Sequence, residues 1–483
     1  MLWLALELPS LPLQVVERAG AVHEPLVIVE GPAQRPLVAC ANAAAEAAGI
    51  REGQGLAAAK ALCATLRVVA RDLQAERETL EHLAAWAGQF TPMVSVEAQG
   101  IALEVQASVT LFGGHAKLAA QVRSGVRALG LRAALGVAPT PLAARLFARA
   151  SAQGLRARGC LSLAELEARL GELPLFLLDW PEKTLARLAD LGILRVRDAL
   201  ALPPEGLARR FGPQIAEALA RLTGRTADPR LPYAPPPRFR SRLELPAEAE
   251  GVEALAFPLA RLLAELEGTL RGRGAGVQRL VLTLEHSRKA RTRVALEFAS
   301  PEREADFILA IAREKLARLA LDAPTVALEL RAEALLARAS REASWLPGER
   351  EQALDRERLV ERLAARLGRE RVFAIALAGD HRPERDWKRK SGTDPVFRNR
   401  EHALRQSGNG VRPLFLLKRP RRLAMQETEL ELRAGPERIE AGWWDGAEVR
   451  RDYYIAANRR GECWWVFREH RDPHAWYLHG VFA

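Results

Sequence analysis

The sequence predicts an α+β chain of several modules, and three observations carry that prediction. Short strands alternate with Ala-, Leu- and Arg-rich helical segments in an order that suits an antiparallel-centred sheet better than a doubly wound one. A Pro-rich stretch, LPYAPPPRF at 231–239, separates two such regions and suits a semi-rigid tether. From about residue 372 the composition turns to Pro, Arg and Trp, and six of the ten tryptophans fall between 386 and 483. At 483 residues the chain exceeds one ordinary core, so roughly three to five modules are expected.

Taken in order, the opening residues 2–8 alternate as a strand, LVIVE at 26–30 and the run 66–70 read as strands, and helical patterns cover 41–48, 55–63 and 73–90. A second strand pair follows at 93–97 and 100–105, then LFGG, a helix over 115–129, the strand RAALGVA and a helix beginning after Pro139 and Pro141. Residues 160–224 are helical in short pieces, broken at Pro174, Pro181, Gly192 and the Pro203–Pro204 pair. Beyond the Pro-rich break a split β-α-β pattern appears: a strand near 242–245, a helix over 252–268, the hairpin VQRLVLTLEH–SRKA–RTRVALEFA, a helix over 302–320 and a strand over 325–330. Residues 331–371 read as a charged helical stretch.

The net charge of +11 points to a polyanionic partner. Residues 1–230 are nearly balanced, with 25 Lys or Arg against 22 acids. Residues 382–425 carry 13 bases against 4 acids, and 271–293 carry seven bases against Glu285 alone. No 18-residue apolar run suggests a membrane span, and the N-terminus lacks the basic flank of a signal peptide, so a cytoplasmic, nucleoid-associated protein is expected. Cys40, Cys63, Cys160 and Cys463 lie far apart with no CxxC spacing, and a buried, reduced role fits them better than a metal or disulfide.

Together the landmarks resemble a Y-family (translesion) DNA polymerase. Val16-Glu17 resembles the end of the first catalytic block, and ACANAAAEAAGIREGQGLAAAKALC at 39–63 resembles the fingers block. VSVEAQGIALEV followed by LFGG resembles the second catalytic block, and LGVAPTPLAARLFA at 135–148 the strand-turn-helix after it. LADLGILRVRDALALPPEGLARRFG resembles the helical thumb. The resemblance implies a palm-like domain from 1–16 and 88–160, a fingers-like domain over 17–87, a thumb-like domain over 161–230, a linker at 231–240 and a little-finger-like DNA-binding domain over 241–335. A helical connector over 336–371 and a basic, Trp-rich partner-binding region over 372–483 complete the expectation.

The departures fall where the chemistry would be. Carried across by the resemblance, the first-block metal aspartate falls at Leu8 and the aromatic that screens the nucleotide sugar at Leu13. The triphosphate tyrosine and arginine fall at Ala43 and Glu46, the paired acids of the second block at Glu97 and Ala98, and the later triphosphate lysine near Ala152. Nucleotidyl transfer needs clustered carboxylates to hold divalent ions on the attacking and leaving oxygens. A lone Glu97 cannot organise two of them, and Glu46 would repel a triphosphate, so no metal, no cofactor and no catalysis are expected. The alternative is an active, divergent lesion-bypass polymerase using Glu7, Glu97 and Glu104; a third reading is a nucleic-acid binder with no repair role.

The tail, with GDHRPERDW, RPLFLLKRPRRL and GWWDGAEVRRDYYIAANRRGECWWVFREHRDPHAWYLHGVFA, resembles the catalytically defective Y-family-like branch of bacterial mutasomes. That likeness implies an adaptor in error-prone translesion synthesis and SOS mutagenesis that links the sliding clamp, a RecA-like partner and an error-prone C-family DNA polymerase. Candidate phosphate-backbone contacts are Arg271, Arg273, Arg288, Lys289, Arg291 and Arg293, whose cations would give salt-steep, sequence-insensitive affinity. Candidate partner contacts are Trp345 and Leu346 in REASWLPGE, the place of a clamp peptide, then Trp387, Arg419, Arg421, Arg422, Trp443, Trp444, Trp464, Trp465 and Trp476. The basic run 382–422 suits single-stranded DNA or an acidic protein groove alike. The paired aromatics suit a small β-domain in which one ring of each pair points inward and the other outward. In the thumb-like turn 177–183 the two phosphate-nest glycines are replaced by Asp179 and Pro181, so that turn is expected to be structural only.

Overall fold

The computed structural model describes residues 1–20, 22–156, 159–287, 289–319, 323–338, 349–391, 412–413, 415–424 and 430–482. They form two compact units, Met1–Leu354 and Asp355–Ala483. No helix among the described residues is long and apolar enough to cross a membrane.

The first unit begins with β1 (Trp3–Glu7), α1 (Leu11–Glu17), β2 (Leu26–Glu30), β3 (Leu37–Ala41), α2 (Ala43–Ala47), α3 (Leu56–Leu62), β4 (Arg67–Ala70) and α4 (Leu73–Ala87). It continues through β5 (Val94–Glu97), β6 (Gly100–Glu104), α5 (His115–Ala128), β7 (Ala134–Ala138) and α6 (Pro141–Ala152). An antiparallel four-stranded sheet has the order β5-β6-β1-β7. Every residue of β1 is buried because helices cover both faces. Leu2, Leu4, Leu6 and Leu8 pack with α4 and α5, while Trp3 and Ala5 pack with α6, as a period of two requires.

A second, three-stranded sheet of order β3-β2-β4 carries α2 and α3. Asn42 ties it together: its Oδ1 accepts from the amides of Ala45 and Leu26, and its Nδ2 donates to the carbonyls of Val22 and Glu24. Helix α4 is not part of this layer. Asp72 caps it, and Leu80, Leu83, Ala84, Trp86 and Ala87 lie in the core of the four-stranded sheet.

Helices α7 (Leu163–Gly171), α8 (Glu182–Asp190), α9 (Val196–Leu200), α10 (Pro204–Phe211) and α11 (Pro213–Thr223) share one continuous core with α6. The Pro-rich stretch then runs along the sheet edge, where the Tyr233 amide donates to the Val94 carbonyl at 2.7 Å. Next come β8 (Phe239–Ala249), α12 (Val252–Gly272), β9 (Ala275–His286), β10 (Thr292–Glu302), α13 (Ala305–Leu316), β11 (Thr325–Ala332) and the short β12 (Leu336–Ala337). Their sheet has the order β10-β9-β11-β8, with β12 on β9.

Helix α12 docks this layer on α4, with the Trp86 ring lying between Gly125 of α5 and Gly268 of α12. Arg18 and His82 both reach the buried Glu265 of α12. Burial pushes that carboxyl up, but His82 and Arg18 outweigh it and hold the group below its usual range.

Helix α14 (Glu349–Leu367) spans the unit boundary. The second unit contains the hairpin β13 (Phe373–Leu377) and β14 (Trp387–Ser391), which composition alone did not reveal. It also contains β15 (Phe415–Arg422), β16 (Glu431–Ala441), β17 (Val449–Ala457), β18 (Cys463–Glu469) and β19 (Asp472–Val481), an antiparallel sheet of order β15-β19-β18-β17-β16. Both faces are apolar: Val466, Trp476 and Leu478 pack on one, and Ile439, Tyr453, Trp465 and Phe467 on the other.

Candidate functional site

The ends of β1, β6 and β5 bring Glu7, Gly100 and Glu97 into one row, because Glu7 pairs with Gly100 and Gly100 with Glu97. Residues in a row point to the same face, so the two carboxylates stand two strand spacings, roughly 10 Å, apart at the backbone. Between them Gly100 is obligatory, since a Cβ there would meet the Leu6 carbonyl oxygen at 1.8 Å.

Helix α6 covers this face. Thr140 caps it, Pro141 opens it, and Ala143, Ala144, Phe147 and Ala148 bury one side. It lies tight on β7, where a Cβ at Gly136 would meet the Ala144 carbonyl oxygen at 2.1 Å. Arg145 and Arg149, one turn apart, are thereby held over the carboxylate row. Arg149 Nε donates to Glu7 Oε1 at 2.9 Å and its Nη1 to Asp179, and Arg145 Nη1 donates to Glu97 Oε2 at 3.2 Å. Arg145 also reaches Asp179 at 3.0 Å. From the far side Arg230 donates to both Glu97 oxygens at 3.0 and 3.1 Å and to Asp228 at 2.8 Å. Ser95 Oγ adds a third donor to Glu97 at 2.6 Å.

Burial pushes the Glu7 carboxyl above its usual range, against the pull of Arg149 and Arg145. Burial opposes the charged form of Arg149 too, but its hydrogen bonds to Asp179 and Glu7 prevail and hold the guanidinium above its usual value. Three guanidinium groups thus cover Glu7 and Glu97. A two-ion site needs open carboxylate lone pairs at close spacing. The donors here are spent on arginines, and the residues do not fit a pair of magnesium ions.

This geometry corrects the reading of the first strand. Leu8 is fully buried among Leu2, Leu4 and Leu6 on the opposite face; the side chain that faces Glu97 from the strand end is Glu7. Ala98 lies exposed in the β5–β6 turn, and Ala152 at the end of α6. Leu13 is buried against Leu26 and Ile28, while Ala43 and Glu46 are exposed on α2. Glu104, the third acid of the catalytic alternative, is four residues up β6 from Gly100, about 13 Å away. Its carboxylate accepts from the Leu2 and Gln106 amides instead. Asp179, expected to be structural only, bridges Arg145 and Arg149. The arginines were missed, although two arginines four apart in an otherwise small, apolar helix were visible in PLAARLFARA.

Several expected DNA contacts are already engaged within the chain. Arg271 donates to Glu267 at 2.6 Å and lies 3.6 Å from Glu304, Arg273 donates to the Pro235 carbonyl, and Arg291 pairs with Glu285 at 3.2 Å. Lys289 is described, whereas Arg288 lies outside the described residues. Arg293 is exposed on β10, opposite Thr283. The registers place Arg240, Arg242, Arg279 and Arg331 on the same open sheet face, where they alternate with Glu244, Glu285, Glu297 and Glu329. Sequence clustering included Arg279 but missed Arg240, Arg242 and Arg331, which come from β8 and β11.

In the second unit Trp465 and Trp476 are buried core residues and Trp464 is half-buried beside them, which corrects their reading as interface anchors. Trp443 and Trp444 are 76% and 54% exposed in the β16–β17 turn, with Arg382 over the Trp444 ring. Arg382, the first residue of the basic run 382–422, is itself buried between Asp380 and Asp445. Trp387 is exposed on β14. Arg419, Arg421 and Arg422 lie exposed on β15, which is an edge strand interrupted by Pro420, so they also blunt an edge against pairing. Trp345 and Leu346 lie outside the described residues.

Residues 13–149 match the impB/mucB/samB family. Protein ImuB of Caulobacter vibrioides is 27% identical over 470 residues, covering 90% of this chain and all of that protein. DNA polymerase IV of Aeromonas hydrophila is 29% identical over 211 residues, 42% of this chain and 59% of that protein. Among solved structures, a Y-family DNA polymerase chimera, Dbh-Dpo4(243-245)-Dbh, covers 69% of this chain and 98% of its own at 18% identity with a TM-score of 0.40. DinB from Sulfolobus solfataricus covers 70% and 99% at 17% identity with a TM-score of 0.39. The chain is similar to protein ImuB along nearly its whole length, and its described residues form an α+β fold with a sheet-rich C-terminal region.

Proposed function

We propose that this ImuB-like chain is a non-catalytic, DNA-binding adaptor in error-prone translesion synthesis after DNA damage. One observation carries the non-catalytic half: Glu7 and Glu97 are each held by arginines of the chain, with Arg149 on the first and Arg145 and Arg230 on the second. Guanidinium groups neutralise the strand-end acids permanently, so charge developing on a transferring phosphoryl group would meet no ion there. Arg293, exposed on the open face of the β8–β11 sheet, supports contacts to the phosphate backbone without base reading. The exposed Trp443–Trp444 turn and the basic edge strand β15 support partner contacts. A sliding clamp, a RecA-like protein and an error-prone C-family DNA polymerase are the proposed partners, following the resemblance of the tail.

Primer extension separates this reading from an active polymerase. The full chain, given a primed template and nucleotides with Mg²⁺ or Mn²⁺, is expected to bind the duplex and extend nothing. Templated extension that Glu97→Ala abolishes would overturn the reading. Recruitment to damaged DNA that needs no partner protein would remove the adaptor half.

A further inference from the structure

We propose that the groove between the end of α6 and the α7–α9 region is a docking site for an acidic peptide segment of a partner protein, anchored by bulky apolar side chains. The site is separate from the carboxylate row. It is a cavity of about 740 Å³ whose floor includes the buried Phe147 and Leu173. Its walls come from a local pairing in which the Leu175 amide donates to the Leu194 carbonyl and the Val196 amide to the Leu173 carbonyl. That pairing turns Phe176 and Leu194 outward, 62% and 60% exposed, an arrangement that water disfavours and an apolar ligand would reverse.

The charge around this apolar floor has one sign. Arg156, Arg169 and Arg195 line the groove against a single acid, Glu172. Arg169 lies 3.7 Å from Glu165, but Arg156 and Arg195 have no acidic partner among the described residues. Two guanidinium groups without an acidic partner, beside exposed leucine and phenylalanine, fit an incoming carboxylate. The lining favours peptide over single-stranded nucleic acid. Successive bases need several ring faces to stack on, and Phe176 is the one exposed aromatic here among Leu155, Pro174 and Leu194.

Fluorescence polarisation with the full chain tests this. The probe is a fluorescein-labelled peptide of about 12 residues in which Asp and Glu flank Leu and Phe, with a control peptide carrying Lys at every acid and a labelled oligo(dT) of similar length. Saturable binding of the acidic peptide is expected, weakened about tenfold by Arg156→Glu/Arg195→Glu and several-fold by Phe176→Ser, with the Lys peptide not saturating. These side chains are exposed, and an unchanged melting profile would confirm that the variants fold. No saturable binding, equal binding of the Lys peptide, or binding indifferent to both variants would overturn the proposal. It would equally fall if oligo(dT), not the acidic peptide, were the probe whose binding these substitutions abolish.

Discussion

Replacing Arg149 with Met tests the internal neutralisation of the carboxylate row. The substitution keeps most of the side-chain volume but removes the charge that bridges Glu7 and Asp179. Asp179 is 60% exposed and can return to water, so its loss of a partner costs little. Glu7 is 5% exposed and cannot. Two routes are open to it, an unpaired buried carboxylate or a protonated neutral acid. Breaking a buried pair from one side costs about 3–5 kcal/mol. Protonation sets a ceiling: holding neutral a group whose free pKa is about 4.3 costs about 1.4 kcal/mol for each pH unit above that, or about 3.7 kcal/mol at pH 7. Because burial already pushes the Glu7 carboxyl up, the second route is the cheaper one.

The expected loss is therefore about 3 kcal/mol at pH 7, shrinking to about 1 kcal/mol at pH 5, where less free energy is needed to keep the acid neutral. Urea unfolding of the full chain at both pH values measures it, with amide-exchange protection in β1 identifying the transition. Glu7→Gln on the Arg149→Met background should restore most of the loss at pH 7 and remove its pH dependence. A loss below about 1 kcal/mol, or one of equal size at the two pH values, would refute the reasoning that Glu7 depends on this arginine.

Three further outcomes follow from other contacts. Burial pushes His479 down to about 4 from 6.5, with Glu384 opposing and Arg451 assisting across the Tyr453 hydroxyl; the folded state thus disfavours the protonated ring, so stability of the second unit is full above pH 6.5 and falls by about 2 kcal/mol between pH 7 and 5, a slope that His479→Gln should flatten in a pH series of urea melts. A Cβ at Gly268 would meet the Trp86 ring at 2.1 Å and one at Gly125 at 2.2 Å, so each change to Ala should cost about 1–3 kcal/mol in thermal or urea unfolding, and the double variant should depart from additivity because both displace one ring. Arg293→Ala should reduce the slope of log K against log salt by about one, equally for unrelated duplexes, and a sequence-dependent loss in the binding titration would count against phosphate-only contact.

Much of the fold was legible in the sequence because it rests on period and punctuation. The alternation of the opening strand, the Pro-Gly breaks of the helical region and the split β-α-β order all have local physical causes. The elements that were misjudged depend on partners distant in sequence. Helix α4 has the same amphipathic pattern whichever sheet it covers, and only packing assigns Leu80, Leu83 and Trp86 to the core of the four-stranded sheet. Trp464 and Trp465 alternate on β18 as the period of two demands, yet the sheet is apolar on both faces, so neither ring is left fully in water.

The site shows the same division more sharply. Matching a chain against a polymerase pattern finds missing acids, since each position is read alone, and by that route Leu8 stood out. What distinguishes this site is instead the presence of cations. Glu7 meets Arg149 across 142 positions, and Glu97 meets Arg230 across 133. Neither arginine occupies a position that a catalytic motif defines. An acid at the strand end is therefore not evidence of metal chemistry by itself, because a guanidinium from α6 takes up the same carboxylate. On the proposed reading, an aspartate placed at Leu8 or Ala98 would not by itself create a metal site. Leu8→Asp would bury a charge among leucines, and Ala98→Asp would place an acid beside a Glu97 still engaged by Arg145 and Arg230. Only removal of the arginines together with added acids would open the row to metal, and isothermal titration of Mn²⁺ into such a variant should detect binding that neither set of changes gives alone.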